Sequence, residues 1–459
     1  MQDSLQPTAS RRKLLTEGSI PRGIFSLAIP TTAALLVHSA FEMVDMIWIG
    51  RLGGEAIAAV SVSSFIIWML FSLSEGVVFG VLALVARRVG EGDTSRAAYQ
   101  AWQGIGFSIV ASLVVGLAFL LGLKSVFRFM QTPSEVTELG ISYLTIVLYG
   151  LPVLFVFYVL DAVFKASGDA KTPMCIAIFS LVLNAALDPL LIFGWLGFPE
   201  LGVAGAAIAT VFSSAVGLIV AFLYLPSFMY GRTAPPLLSR IIPDARVYKR
   251  ILQIGVPASS SHTFFCFVYV CLTRITTQFG VPAMAALGIG HKLESVSYFT
   301  SVGFGEAAAT LVGQNLGAQN PDRAEKCAWR SARYAAYVSA FMGGLFLLFP
   351  TYLMRIFTDD PAIIEAGALY LRIIAVPQVF AASEIVFESA FVGAGNTIPP
   401  MLINIPLFFC KIPLAYVLSR PAFFGSATGI WWGIASTIVA NGILMPLWFQ
   451  RGKWKEKRV

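Results

Sequence analysis

Two aspartates, Asp45 and Asp188, stand inside long runs of apolar residues. A charge at the centre of a bilayer costs about 2.5–3.5 kcal/mol by insertion scales, so an ionisable side chain kept there is a functional candidate by default. Asn184 lies four residues before Asp188 and so shares its helical face. Thr210 and Tyr143 stand in two further apolar runs. Two carboxylates close together in a low dielectric cannot both ionise cheaply, which suits the pair to carrying a proton. The same oxygens, with those of Asn184 and Thr210, also suit a hard cation such as sodium.

Other polar residues carry weaker expectations. Glu384 and Glu388 share a face, and Lys411 could pair with Glu384, which reads as structural pairing rather than ion handling. Glu75, Glu294 and Glu306 are candidates for lining a cavity, and Asp161 fits gating or packing. His38 precedes Asp45 by seven residues and could tune it. None of the five cysteines has metal spacing with the three histidines, so neither a zinc site nor a disulfide framework is suggested. The glycine-rich turn Gly90–Asp93 lacks the Lys-Ser/Thr ending of a phosphate loop, so energy would have to come from an ion gradient or a partner. No clustered nucleophile and base points to an enzyme, and no cofactor is implied.

The elements that must hold these residues are membrane helices. Hydrophobic residues make up 57% of the chain and charged residues only 12%, whereas a soluble domain carries about 25% charge. Reading for runs of about 20 apolar residues predicts twelve spans: 24–50, 57–85, 98–123, 137–163, 174–194, 202–226, 252–278, 284–312, 328–354, 364–391, 399–419 and 427–449. Pro30, Pro152, Pro257 and Pro377 are the expected kinks. With both termini placed inside, 22 of the 32 lysines and arginines fall in inner segments and five in outer loops, as the positive-inside rule requires. The net charge of +7 is accounted for in this way without a nucleic-acid partner. The basic tail Arg451–Arg458 reads as a lipid-headgroup anchor. Counted from the outer boundary at 1.5 Å per residue, Asp45, Asp188, Thr210 and Tyr143 all lie about 7–12 Å deep. Five polar groups from four helices are therefore expected to meet in one layer.

The chain also repeats itself at one offset. Leu27-Ala28-Ile29-Pro30 matches Ile254-Gly255-Val256-Pro257, and the turn Gly90–Ala97 matches Gly317–Ala324. Phe164, Gly168, Pro173 and Met174 match Phe391, Gly395, Pro400 and Met401, and Gly202 and Thr210 match Gly429 and Thr437. Every pair is 227 residues apart. Matched polar turns exclude a mere likeness of apolar segments. Each half has six spans, an even number, so the two halves enter the membrane in the same sense. Such parallel repeats are related by an axis along the membrane normal and frame a cavity suited to alternating access. The same offset puts Leu272, Lys411 and Ala415 opposite Asp45, Asn184 and Asp188, so the second half lacks both carboxylates.

The stretch Val44-Asp45-Met46-Ile47-Trp48-Ile49-Gly50-Arg51-Leu52-Gly53 resembles the first-helix motif of the multidrug and toxic compound extrusion (MATE) transporters. Gly168-Asp169-Ala170-Lys171-Thr172-Pro173, followed by Asn184 and Asp188-Pro189, resembles that family's fourth-to-fifth helix region, and Gly313-Gln314-Asn315-Leu316-Gly317-Ala318 also fits. The resemblance covers essentially the whole chain. It implies an all-α membrane protein of two six-helix lobes forming a V-shaped cavity, with residues 24–226 as the N-lobe and 252–449 as the C-lobe. A tail of residues 1–23, a linker of 227–251 and a basic tail of 450–459 complete the chain. It further implies export driven by a proton or sodium gradient. In some branches of the family, residues matching Asp45, Asn184, Asp188 and Thr210 form the cation or proton site, with the match of Tyr143 beside it. In other branches a C-lobe acid pair with one member on the seventh helix couples transport, but span 252–278 contains no acid.

The expected function is antiport of amphipathic, often cationic compounds, with the first helix bending near Pro30. The protein is expected in the plasma (inner) membrane with both termini cytoplasmic, working as a monomer on small molecules. The alternative is a lipid-linked precursor flippase of the same architecture, which would be expected to carry several cations in its cavity.

Overall fold

A computed structural model describes residues 6–130, 132–225, 229 and 242–457. Most of the expected linker 227–251, the first five residues and Arg458 lie outside the described residues. The protein is all-helical, with no strand among the described residues. Lipid offers the backbone no hydrogen-bond partner, so apolar runs of this length must satisfy their own N–H and C=O groups as helices. The α-helices are α1 (Gln6–Thr16), α2 (Ile20–Gly50), α3 (Gly54–Glu91), α4 (Thr94–Met130), α5 (Ser134–Ala166), α6 (Lys171–Phe193), α7 (Val203–Leu223), α8 (Ala245–Thr276), α9 (Gly280–Gly317), α10 (Pro321–Leu348), α11 (Pro350–Arg355), α12 (Pro361–Ile374), α13 (Pro377–Gly393), α14 (Ile398–Leu418) and α15 (Thr428–Gln450).

Among the described residues nine helices are long and apolar enough to cross a membrane: α2 to α8, α14 and α15. The pair α12 and α13, bent by 57° at Pro377, makes a tenth. α9 and α10 are as long but less apolar, and with them the twelve expected spans are present as helices. Three details differ from expectation. The span 364–391 is broken rather than kinked, because Pro377 removes a backbone donor and starts a new helix as its first residue. The span 328–354 is interrupted at Phe349, where Pro350 begins α11. The N-terminal tail forms α1. Pro30, Pro152 and Pro257 lie inside continuous helices.

The chain divides into two compact units. The first comprises Met1–Arg12 and Ala33–Gln253, the second Lys13–Thr32 and Ile254–Val459. The start of α2 thus belongs with the second unit, and the start of α8 with the first, where Gly80 leaves no room for a Cβ against the Ile251 carbonyl. Asp244 caps that start of α8. It accepts from the Tyr99 hydroxyl at 2.9 Å and the Arg246 N–H at 2.8 Å. The Arg246 N–H holds its carboxyl below the ordinary 3.8. Within the first unit Arg11 pairs with Asp169 at 2.6 Å. Within the second, Trp454 is buried against Phe449, and Lys455 pairs with Glu325 at 2.6 Å. That part of the basic tail is docked on protein, whereas it was expected at lipid headgroups.

The repeat holds at the level of single hydrogen bonds. Asp93 N–H donates to Arg88 O at 3.0 Å, and Asn320 N–H to Asn315 O at 2.8 Å. Asp169 donates to Phe164 O and Asn396 to Phe391 O in the same way. Each helix end needs one residue in the left-handed region to close this bond. Gly92 supplies it at φ 80° in the first half, and Gln319, its counterpart, is forced to φ 60° in the second. A side chain there costs about 1 kcal/mol, and Gln319 is exposed. Gln319→Gly should therefore raise the melting temperature of the purified protein by about 2 °C; an unchanged or lower value would show that the turn is not strained.

Candidate functional site

The polar layer expected in the first half is assembled in the first unit. The end of α2 is held to the end of α6 by aromatic edges: Trp48 stands 6.2 Å from Phe193 and 5.9 Å from Trp195 between ring centroids. This brings Asp45, one turn before Trp48, towards Asp188, five residues before Phe193. α7 then closes on α6. Leu201 and Gly202 donate back to the carbonyls of Leu191 and Ile192, and a Cβ on Gly205 would stand only 2.3 Å from the Leu191 carbonyl oxygen. The absence of a side chain at Gly205 lets the two backbones approach until Thr210 reaches Asn184.

Asn184 Nδ2 lies 3.5 Å from both Asp188 Oδ1 and Thr210 Oγ1. With the amide turned over, it donates to Asp45 Oδ1 at 3.3 Å and accepts from the Thr210 N–H at 3.3 Å. Amide orientation is an assignment from the network, and the second orientation satisfies both ends. Either way Asn184 stands among Asp45, Asp188 and Thr210. The Asn184 amide reaches Asp188 in one orientation and Asp45 in the other, so one residue bridges the two carboxyls; carboxylates are acceptors alone, so the two acids can bond to each other only through a proton. Asp188 is 1% exposed and its Oδ2 has no donor. Such an orphaned acceptor costs about 1–3 kcal/mol and fits a bound proton or cation. Asp45 is half-buried, so it is the accessible member of the pair. Tyr143 of α5 packs beside the layer against the cluster of Ile49, Val60 and Ile192.

The remaining candidates fall as follows. His38 stands 3.9 Å from Glu42 and is in electrostatic range of Asp45. Glu42 is a residue the sequence reading passed over. Three positions before Asp45 on the same span, it extends the acidic stripe of α2. Glu75 lies on α3 in electrostatic range of Tyr158, and Asp161 pairs with Lys165 at 2.6 Å.

In the second unit the Tyr370 hydroxyl donates to Glu294 at 2.8 Å, Asn441 to Glu384 at 2.9 Å and Asn404 to Glu388 at 3.0 Å. The expected ion pair of Lys411 with Glu384 does not form. Asn441 occupies a Glu384 oxygen, while the Lys411 ammonium stands over the rings of Phe265, Tyr269 and Phe408. Glu306 lies about 18 Å further along α9 than Glu294 and is not part of this group. Tyr370, Asn404 and Asn441 were also passed over. Tyr370 was within reach, because it stands 227 residues after Tyr143.

Comparison with known proteins gives the following. The sequence profile of the MatE family matches residues 30–190 and 257–417, two segments related by the same offset of 227. The chain is 28% identical over 442 residues to the probable multidrug resistance protein NorM of Thermotoga maritima, covering 96% of this chain and 94% of the relative. It is 26% identical over 407 residues to the FAD transporter of Shewanella oneidensis, covering 87% and 88%. Among solved structures, a MOP superfamily transporter from Pyrococcus furiosus superposes with a TM-score of 0.89 at 23% identity, over 97% of this chain and 99% of the other.

Proposed function

The chain belongs to the MatE family, whose members are transporters and not enzymes, and on that premise we propose that this multi-pass membrane protein is a cation-coupled exporter of small amphipathic organic molecules. The observation that carries the proposal is the pairing of buried Asp188 with half-buried Asp45 around Asn184 in the first unit. Two acids and a neutral amide match one positive charge. A proton from outside reaches Asp45, the accessible acid, and is shared with Asp188. Sodium would instead take the Asp45, Asn184, Asp188 and Thr210 oxygens. Tyr143 borders the layer and positions it. Loading cancels one of the layer's negative charges, weakens its attraction for a cationic cargo and favours release outward. The first helix then bends near Pro30, and the two six-helix lobes, 24–226 and 252–449, return access to the inside. The arrangement fits a monomer in the plasma membrane with both termini cytoplasmic.

The relatives, a probable multidrug resistance protein and an FAD transporter, support drug or metabolite transport rather than flipping of a lipid-linked precursor. The acidic character of the first unit's layer supports the same choice. The deciding experiment is efflux of a fluorescent cationic dye from proteoliposomes under a proton or a sodium gradient imposed separately. Movement under one gradient alone is expected and identifies the ion. Folded protein that moves dye under neither would refute the proposal.

A further inference from the structure

The duplication allows a comparison of two sites within one chain. The positions 227 residues beyond Asp45, Tyr143, Asn184, Asp188 and Thr210 are Leu272, Tyr370, Lys411, Ala415 and Thr437. All five are at most 2% exposed, and Leu272, Tyr370 and Ala415 share one apolar cluster. The second unit has therefore built the same layer with its chemistry inverted. Both carboxylates are gone, and the central amide has become an ammonium.

That ammonium is enclosed by aromatic faces. Lys411 Nζ stands 5.2 Å from the ring centroid of Tyr269, 5.3 Å from Phe408 and 5.8 Å from Phe265. Phe265 and Tyr269 occupy the repeat positions of His38 and Glu42. Lys411 is 2% exposed, and the contacts of its ammonium are with these three rings. Glu294 and Glu384 lie in electrostatic range, and each has one oxygen engaged, by Tyr370 and Asn441 respectively. A ring of aromatic faces with acids behind it is a receptor for an ammonium group. Phe265, 38% exposed, is the wall of the cage nearest the surface of the unit.

We propose that the Phe265–Tyr269–Phe408 cage of the second unit is a binding site for organic ammonium cations, and that Lys411 is its tethered resident occupant, which an incoming ammonium displaces towards Glu294 and Glu384. This site does not depend on the Asp45–Asp188 reading. It keeps the second unit from taking a soluble cation unless the ligand binds well enough to expel the lysine, so it selects for ligands with an apolar body.

The test is equilibrium binding of labelled tetramethylammonium to the purified full-length protein. Lys411→Met removes the occupant and keeps the chain length. It should bind the probe at least about tenfold more tightly than the unaltered protein. Adding Tyr269→Leu should abolish the gain, and adding Asp45→Asn should leave it intact. If Lys411→Met does not fold, Lys411→Gln carries the same expectation. A folded neutral variant without the gain, or a gain that survives Tyr269→Leu, overturns the proposal. So does benzoate binding by the unaltered protein that is lost on neutralising Lys411, which would make the lysine an anion receptor.

Discussion

Asp45→Asn protein reconstituted into liposomes should lose gradient-driven dye efflux, falling at least about tenfold towards the rate of empty vesicles, while remaining folded. The substitution keeps the shape and the hydrogen-bonding contact with Asn184 but removes the accessible acid that shares the layer with Asp188. A second acid beside a buried one is expensive to maintain, so its removal should leave the melting temperature unchanged or raise it. Loss of activity with gain or retention of stability is the signature of a group kept for function. A structural cluster would behave in the opposite way, with stability falling first. Efflux at the normal rate by the variant would remove Asp45 from the coupling site, and the proton-sharing geometry would then have to be read as packing.

Gly205→Val is expected to have the next largest effect, and for a purely geometric reason. Any Cβ at this position meets the Leu191 carbonyl at 2.3 Å, and backbone cannot rotate away as a side chain can. α7 must withdraw from α6, which separates Thr210 from Asn184 and opens the layer. Forcing extra volume into a packed contact costs about 1–3 kcal/mol. The variant should melt several degrees lower and lose coupled efflux, even though residue 205 touches no ion. A control at Gly122, where a Cβ meets nothing within 4 Å, should change neither reading by a comparable amount. If Gly205→Val transports normally, close approach of α6 and α7 is not what forms the site.

Most of the fold was legible because lipid imposes a strict length and polarity on each helix. Apolar runs such as 174–194 and 202–226 became α6 and α7 within a few residues. Depth could also be counted along those helices, which is why Asp45, Asn184, Asp188 and Thr210 were expected in one layer. Where helices broke was less legible. Pro257 and Pro377 look alike in sequence, yet α8 runs through the first and α12 ends before the second. The surroundings that re-satisfy a freed carbonyl decide between kink and break.

The sequence by itself determined that this is a duplicated membrane protein, since composition and one constant offset depend only on order along the chain. It also determined which acids lie in lipid-spanning segments, and that one half had lost them. Only the tertiary structure decided partners. It set Glu42 beside His38, gave Glu384 to Asn441 and placed Lys411 over three aromatic rings where an ion pair with Glu384 was expected. Depth along a helix fixes which residues share a layer. Rotation and close approach of neighbouring helices, set by contacts such as Gly205 on Leu191, fix which of them touch.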